Sequence, residues 1–288
     1  AVFADTYGTT IPVFGEFPGA LNNDGERISL VRPDPASGNA GTILGTVRYS
    51  DRLPWPTNAA GFGPSLQLVD PRRSVHRLAN WAATATNDVN RVTPGRANSV
   101  RRDLAEIPEL WLNEVLPNSL AGPLDNFGDR DPFIELYNSG TNTADLSNVF
   151  LSASYTNLIQ WRFPTGTTLS PGAFLRVWAD GEPGETAIGH LHAGFRLEAA
   201  VGVVTLSRSQ TGGMGVLDFV EYSGLLPDRS IGLAPDGNPF NRRVFFRPTP
   251  GGTNDPAVPA IRVTVNEFMA SNNAGLRDPV DNDLDDWI

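Results

Sequence analysis

The stretch "DPFIELYNSG", residues 131–140, alternates its side chains in steps of two. Glu135 and Tyr137 fall in one set of alternate positions, and Ile134 and Leu136 fall in the other. A β-strand directs successive side chains to opposite faces of a sheet, whereas an amphipathic helix repeats every 3.6 residues. The stretch therefore predicts a strand with two distinct faces.

The same period of two recurs along the chain. "FLRVWADG", residues 174–181, alternates in this way and stops at Asp180-Gly181, a dipeptide typical of turns. Because there are 29 glycines and 24 prolines among 288 residues, the apolar residues fall into short runs, which favours an all-β protein with tight connections. Further strands are predicted at "RISLVRP", "LGTVRYSD", "PSLQLVDP", "VGVVTLSRS" and "VLDFVEYSG".

One segment has helical character. It is "SVRRDLAEIPELW", residues 99–111. Pro108 limits this helix to about two turns, because a proline inside a helix removes a hydrogen bond and clashes with the preceding turn. We expect the helix to lie in a linker between two modules.

Short motifs occur twice, which indicates several copies of one structural unit. "TPGRAN" at 93–98 returns as "TPGGTN" at 249–254, "VRYS" at 47–50 as "VEYS" at 220–223, and "LNEVLPNS" at 112–119 as "VNEFMASN" at 265–272. The acidic stretch "DNFGDRDPFIELYNSG" likewise aligns with the terminal "DPVDNDLDDWI" through Asp131 and Asp285.

These repeats predict a piece of a longer tandem array of β-sandwiches. Residues 1–98 are expected to form the C-terminal part of a first module, and residues 99–110 a linker. Residues 111–255 would form one complete module, and residues 261–288 the truncated start of a third. Short antiparallel strands over about 145 residues per unit favour a sandwich.

The order of motifs in the central copy resembles the lamin tail domain family in its bacterial form. The matching blocks over residues 112–254 are "LNEVLPNS", "DPFIELYNSGTNTADLSNVFLSA", "WRFPTGTTLSPGAFLRVWADG", "LHAGFRLEAAVGVVTLSR", "VEYSGLLPDRSIGLAPDG" and "PTPGGTN". Residues 1–98 resemble the second half of the same domain, and residues 261–288 resemble its start. Two departures, at "AAVGVVTL" and at Val149-Phe150, exchange one turn or core residue for another.

The resemblance implies an immunoglobulin-like β-sandwich with no catalytic centre. It also implies a structural or interaction module of a large exported or cell-surface bacterial protein, so we expect an extracellular or cell-surface location. The partner would be a protein or a cell-surface polysaccharide, besides neighbouring modules of the same chain. Two alternatives stay open: a calcium-dependent or carbohydrate-binding adhesion module, and the accessory region of a larger enzyme whose catalytic domain lies outside this sequence.

Composition excludes several kinds of chemistry. There is no cysteine, and the 22 basic residues are all arginine, which excludes thiolate nucleophiles, cysteine zinc sites and Schiff-base lysines. The formal net charge of −10 argues against nucleic acid as a partner, because binding to the phosphate backbone depends on positive charge. No apolar run approaches the length of a membrane span.

Acidic turns are the sharpest candidates for a ligand site. Carboxylates at alternate positions before a strand are hard oxygen ligands on a flexible loop, which suits Ca²⁺ at extracellular concentrations. The pattern lacks the glutamate of an EF-hand, and the alternative is a solvated turn whose side chains bond the local backbone. The candidate calcium ligands are Asp125, Asp129, Asp131, Asp281, Asp283 and Asp285.

Single histidine, tryptophan and glutamate residues offer weaker candidates. His190 and His192 would share one face of a strand and could hold a transition metal, although no third ligand is identifiable and such a pair is usually structural. Trp55, between two prolines, is expected to be exposed and is the candidate for stacking on a sugar. Glu114, whose Asn-Glu motif recurs near the end of the chain, is expected to bond neighbouring backbone.

Overall fold

The computed structural model describes residues 2–13, 15, 17–35, 41–259 and 264–287. The chain divides into two compact units, Ala1–Pro256 and Ala257–Ile288. Nearly all regular structure in the described ranges is β-strand, so the all-β prediction is confirmed. None of the described helices has the length and apolar character needed to cross a membrane.

The regular elements are one short helix, three 3-10 turns and a series of strands. The helix α1 spans Val2–Tyr7, and the 3-10 turns span Thr57–Ala59, Leu78–Asn80 and Pro183–Glu185. The strands are β1 (Gly25–Arg32), β2 (Thr42–Ser50), β3 (Gln67–Leu68), β4 (Trp81–Ala82), β5 (Leu110–Leu116), β6 (Phe133–Asn138), β7 (Ala144–Asp145), β8 (Val149–Ser152), β9 (Trp161–Arg162), β10 (Thr168–Leu169), β11 (Phe174–Trp178), β12 (Leu191–His192), β13 (Val201–Gln210), β14 (Gly213–Ser223), β15 (Ser230–Leu233) and β16 (Arg242–Phe245).

Two sheets form the body of the first unit. One has six strands in the order β12-β11-β6-β5-β15-β16, and the other has four in the order β14-β13-β8-β9. Their pairs are antiparallel except for β11 with β12, which is parallel. Because β5 and β6 lie in the middle of the larger sheet, both edges of each strand are paired. The strands β1 and β2, β3 and β4, and β7 and β10 form separate two-stranded pairs.

The core contains residues from both sheets. Ile134 and Leu136 of β6 belong to one buried cluster together with Val177 of β11. Val204 and Leu206 of β13, in the smaller sheet, belong to the same cluster. Antiparallel sheets that share one apolar interior make a β-sandwich, so this prediction is confirmed.

The other face of β6 is buried as well. Phe133 packs with Leu116 and Trp178 in a separate cluster, and its ring centroid lies 6.1 Å from that of Trp178 in an edge-on arrangement. Glu135, two positions from Phe133 and therefore on the same face, has no exposed surface. A carboxyl group in such a place needs polar partners.

The helix predicted within residues 99–111 is wrong. The segment instead runs beside the chain that precedes it. The backbone N–H of Arg102 donates to the carbonyl oxygen of Val69 over 3.1 Å, and the N–H of Leu104 donates to Oδ2 of Asp70 over 3.0 Å. These tertiary bonds use the donors that a helix would need, and they outweigh a weak helical propensity.

A buried arginine joins the N-terminal segment to the two sheets. Arg77 has no exposed surface, and its Nη1 donates to the carbonyl oxygens of Leu110 over 2.6 Å and Leu217 over 3.1 Å. Its Nη2 donates to Glu109 over 3.2 Å, and its guanidinium carbon lies 3.4 Å from the centre of the Trp111 ring. Burial lowers the pKa of Arg77, and the charge of Glu109 opposes this effect.

The predicted module boundaries remain a prediction. Residues 1–98, 99–110 and 111–255 all lie in the unit Ala1–Pro256, whereas 261–288 belong to Ala257–Ile288. Of these predicted segments, residues 1, 14, 16, 36–40, 261–263 and 288 lie outside the described residues.

Replacing Arg77 should destabilise the first unit. We expect Arg77→Ala to lower the free energy of unfolding by about 3 kcal/mol or more, because two buried carbonyl groups lose their donor and Trp111 loses a packing partner. Urea denaturation followed by circular dichroism measures this loss. Arg101→Ala, at an exposed arginine, is the control and should stay within about 0.5 kcal/mol of wild type. Equal losses in the two variants would contradict the role given to Arg77.

Candidate functional site

Two buried glutamates face each other across the middle of the larger sheet. Glu114 on β5 and Glu135 on β6 are register partners, and neither has any exposed surface. On the neighbouring strand β15, Oγ of Ser230 donates to Oε1 of Glu114 over 2.6 Å. Carboxyl groups removed from water to this extent need further hydrogen-bond donors.

The turn "TPGGTN", residues 249–254, supplies those donors. The backbone N–H of Thr249 contacts both carboxyl oxygens of Glu114, over 3.1 and 3.0 Å. The backbone N–H of Gly251 donates to Oε2 of Glu135. The turn is therefore bonded to both members of the glutamate pair.

Asn254 fixes the end of this turn. Its Nδ2 donates to the carbonyl oxygens of Asn113 on β5, over 2.9 Å, and of Leu233 on β15, over 2.8 Å. Its backbone N–H donates to Oδ1 of Asp236 over 3.1 Å, and the same oxygen accepts a bond from Nδ2 of Asn113 over 3.0 Å. Glu114 is expected from the sequence to bond neighbouring backbone; it does bond a backbone N–H, but that of Thr249, which is distant in sequence.

Burial raises the pKa of Glu114 to about 7 and the pKa of Glu135 to about 8. The bonds from Ser230, Thr249 and Gly251 act in the opposite direction but do not outweigh burial. The charge of Glu114 further raises the pKa of Glu135. Near neutral pH the pair therefore retains protons that free glutamates would have released.

The earlier turn "TPGRAN", residues 93–98, makes the same kinds of contact. Oγ1 of Thr93 donates to Oδ1 of Asn98 over 3.2 Å, as the equivalent pair in the later turn does over 3.0 Å. Nδ2 of Asn98 donates to the carbonyl oxygen of Leu68 over 2.9 Å. This bond parallels the later turn's bond to Leu233.

The first acidic turn folds around Asp125. Its Oδ1 accepts bonds from the N–H groups of Phe127, Gly128 and Asp129 over 2.7 to 2.8 Å. Burial opposes the ionisation of Asp125, but these N–H groups and the nearby His192 outweigh it, so its pKa lies below the usual value. Asp129 is exposed. One oxygen of Asp125 thus bonds the local backbone, as in the solvated-turn alternative.

Asp131 and Asp180 point into the protein beside this turn. The side chain of Asp131 is 6% exposed, and its Oδ1 accepts a bond from Nη1 of Arg196 over 2.8 Å. Asp180 follows the end of β11 and is also buried. Its Oδ1 accepts the N–H of Glu182 over 3.0 Å, and its Oδ2 lies 2.5 Å from Nδ1 of His192.

His192 has oxygen atoms on both sides of its ring. It is fully buried, and its Nε2 lies 2.8 Å from Oδ1 of Asn126. The amide nitrogen of Asn126 donates to the carbonyl oxygen of Glu185 over 3.2 Å, which turns the amide oxygen toward the ring. Each ring nitrogen therefore lies within hydrogen-bonding distance of a side-chain oxygen. The carboxylate of Glu185 approaches as well, with Oε2 3.8 Å from Nδ1.

These side chains form one acidic cluster, built from two groups that share Asp180. Within each group, one ligand atom from every residue lies within 4.8 Å of the others. The groups are Asp125, Asp180, Glu185 and His192, and Asp131, Asp180 and Glu182. The structure therefore brings the predicted residues Asp125 and Asp131 to one cluster and leaves Asp129 outside these groups. Oxygen atoms at such separations can share a metal ion.

The second acidic turn, in the second unit, is solvent-exposed. Asp278, Asp281 and Asp285 approach within 4.8 Å of one another, and all three are exposed. Oδ1 of Asp278 accepts the N–H of Val280 over 2.6 Å, and Oδ1 of Asp281 accepts the N–H of Asp283 over 3.2 Å. Of the three predicted ligands here, Asp283 lies outside this group.

The tryptophan candidate lies in an apolar environment. Trp55 is 7% exposed and packs with Leu78 and Val216, so the expectation that it is exposed is wrong. Burial of a large aromatic ring against the strand β14 explains this position. One edge of Trp55 lines a cleft of about 470 Å³, which His76 and Phe240 also line.

A family model described as Lamin Tail Domain matches residues 105–222. This part of the chain belongs to the lamin tail domain family. The matched residues contain the glutamate pair, the acidic cluster and most strands of both sheets. Lamin tail domains are non-catalytic and immunoglobulin-like. No curated protein matches the chain.

The acidic cluster of the lamin tail domain includes residues that sequence reasoning missed. The sequence indicates Asp180 only as a turn residue and gives no role to Glu185 or Asn126. The "HLH" motif singles out His192, but His190 is not part of the cluster. Asp180 and His192 meet because β11 and β12 pair in parallel, and alternation along single strands does not predict that pairing.

The glutamate pair should make the lamin tail domain less stable as pH rises. The folded chain holds protons on Glu114 and Glu135 up to about pH 7 and about pH 8, whereas the unfolded chain releases them near pH 4.5. In this interval the folded state binds more protons. The contribution of the pair to the free energy of unfolding therefore falls with rising pH, by up to about 1.4 kcal/mol per pH unit for each proton.

Glu135→Gln should reduce this pH dependence. We expect the variant to lose less free energy of unfolding than wild type between pH 5 and pH 8, as measured by urea denaturation at each pH. Taking the difference between the two proteins removes the effects of titrating groups that do not interact with Glu135. Glu106→Gln, at an exposed glutamate, should follow the wild-type profile. Parallel profiles for Glu135→Gln and wild type would show that Glu135 is not held in its protonated form.

Proposed function

We propose that this chain is a non-catalytic structural and interaction segment of a large exported or cell-surface bacterial protein. The observation that carries the proposal is the position of the Glu114 and Glu135 pair. Both groups are fully buried and bonded to the turn at residues 249–254. A general acid or base must reach a substrate, whereas these carboxyl groups hold two parts of the chain together.

The proposal includes a tandem arrangement of lamin tail modules. The turns at 93–98 and 249–254 share their internal bonds. In the second unit, Met269 and Trp287 exchange two backbone hydrogen bonds of 2.8 and 3.1 Å. The sequence repeat aligns these two residues with Leu116 and Phe133, which are partners in the pairing of β5 with β6. Equivalent pairing at aligned positions supports repeated copies of one unit.

The proposed partners follow from charge and family. A net charge of −10 favours a protein or a cell-surface polysaccharide over nucleic acid, because the phosphate backbone would be repelled. Neighbouring modules of the same chain are further partners. An immunoglobulin-like domain in such an array would act as a spacer and as an attachment surface.

Surface labelling tests the location on which this role depends. We expect antibodies raised against residues 41–259 to label intact cells of the producing organism. Brief protease treatment of those cells should remove the signal and leave a cytosolic marker protein intact. Labelling that requires permeabilised cells would contradict an exported, cell-surface segment.

A further inference from the structure

We propose that the acidic cluster of the lamin tail domain binds one Ca²⁺ ion through the carboxylates of Asp125, Asp180 and Glu185. The site is separate from the glutamate pair and goes beyond the proposed attachment role. It also differs from the ligand set suggested by the sequence, because it omits Asp129 and Asp131 and takes two ligands from the segment that follows β11.

Unpaired buried oxygens are the first argument for a bound cation. Oδ2 of Asp125, Oδ2 of Asp131 and Oε2 of Glu185 are each shielded from solvent and have no hydrogen-bond partner. The side chain of Asp131 is more than nine-tenths buried, since only 6% of it is exposed. A buried carboxylate oxygen without a donor is costly. Those of Asp125 and Glu185 lie in one group with Asp180, where one cation would satisfy both, and that of Asp131 lies in the adjoining group, which shares Asp180.

Charge balance is the second argument. The cluster contains five carboxylates, from Asp125, Asp131, Asp180, Glu182 and Glu185. Two basic side chains accompany them, Arg196 on Asp131 and His192 on Asp180. Even with both of these charged, negative charge is in excess.

The hydrogen bonds of His192 favour a cation that prefers oxygen ligands. Its Nδ1 lies 2.5 Å from Asp180 and its Nε2 lies 2.8 Å from Asn126. With both nitrogens occupied, the ring supports the carboxylates and does not itself offer a lone pair to a metal. The remaining ligands are carboxylate oxygens, which suit Ca²⁺ with water completing its six to eight ligands. Zinc sites in proteins usually include an imidazole or thiolate ligand.

A cation at this position would connect two parts of the domain. Asp125 and Asp131 lie in the turn that precedes β6, whereas Asp180 and Glu185 lie between β11 and β12. The bonds of Asn126 to His192 and Glu185 already join these parts, as does the N–H of Ala179, which donates to the carbonyl oxygen of Pro132 over 2.8 Å. We propose no ion at the acidic turn of the second unit, because its three clustered carboxylates are exposed and water can solvate them.

Calorimetric titration of the whole chain with CaCl₂, after treatment with a chelator, tests the site. We expect saturable binding, and a rise in melting temperature of about 5 °C at a Ca²⁺ concentration 100-fold above Kd. Glu185→Gln and Asp125→Asn should each weaken binding about tenfold or more. Asp129→Asn makes the same chemical change in the same turn at an exposed residue and should bind like wild type.

Terbium luminescence locates the ion. Tb³⁺ replaces Ca²⁺ at oxygen sites and emits when a nearby tryptophan is excited. The Trp178 ring centroid lies 6.4 Å from that of His192. We therefore expect Trp178→Phe to remove most of the Tb³⁺ emission that is lost when excess Ca²⁺ is added to the wild-type chain. Trp287→Phe, beside the acidic turn of the second unit, should leave that emission unchanged.

Several outcomes would overturn the proposal. They are an absence of Ca²⁺ binding in the wild-type chain, equal affinity in wild type and Glu185→Gln, or terbium emission that depends on Trp287. Tighter binding of Zn²⁺ than of Ca²⁺, abolished by His192→Gln, would replace it with a transition-metal site.

Discussion

The hydrogen bonds between the turn "TPGGTN" and the two buried glutamates fix this turn on the larger sheet. Without them, Glu114 and Glu135 would face each other in the middle of a sheet with few donors, at a cost that apolar packing nearby would have to offset. With them, the turn at residues 249–254 is bonded to β5, β6 and β15 together. In the second unit the corresponding Asn266 and Glu267 are exposed. The Asn-Glu motif is therefore buried in the copy that the turn at residues 249–254 covers.

Polar cross-links of this kind recur elsewhere in the first unit. Arg77 bonds the N-terminal segment to the carbonyl oxygens of Leu110 and Leu217, and Asp70 bonds the segment before β5 through Leu104. A chain without cysteine has no disulfides to join its loops. Buried charged and amide side chains that bond backbone fulfil this role here, and each is sensitive to the loss of one partner. Distant parts of the chain consequently depend on one another for stability.

The sequence predicts the strands well and the polar contacts poorly, for a physical reason. Alternation at Ile134 and Leu136 follows from the geometry of one strand, and the structure confirms it. The helix expected near Leu104 fails, because contacts with a distant segment decide that conformation. The spacing of the acidic turn groups Asp129 with its neighbours, but exposure of that residue depends on the path of the loop. Asp180 enters the cluster through a parallel strand pair that no local pattern encodes.

The positions of Leu110 and Asn254 have a mechanical consequence. The chain enters the larger sheet at Leu110, on β5, and leaves its last strand at Phe245. The amide of Asn254, further along the chain, is bonded back to Asn113 on β5. A pull applied to the two ends of the domain would therefore act first on the bonds of Asn254 and Thr249. These hydrogen bonds would resist extension before the strands of the apolar core slide past one another. Protonation of the glutamates would then alter how much tension the domain withstands.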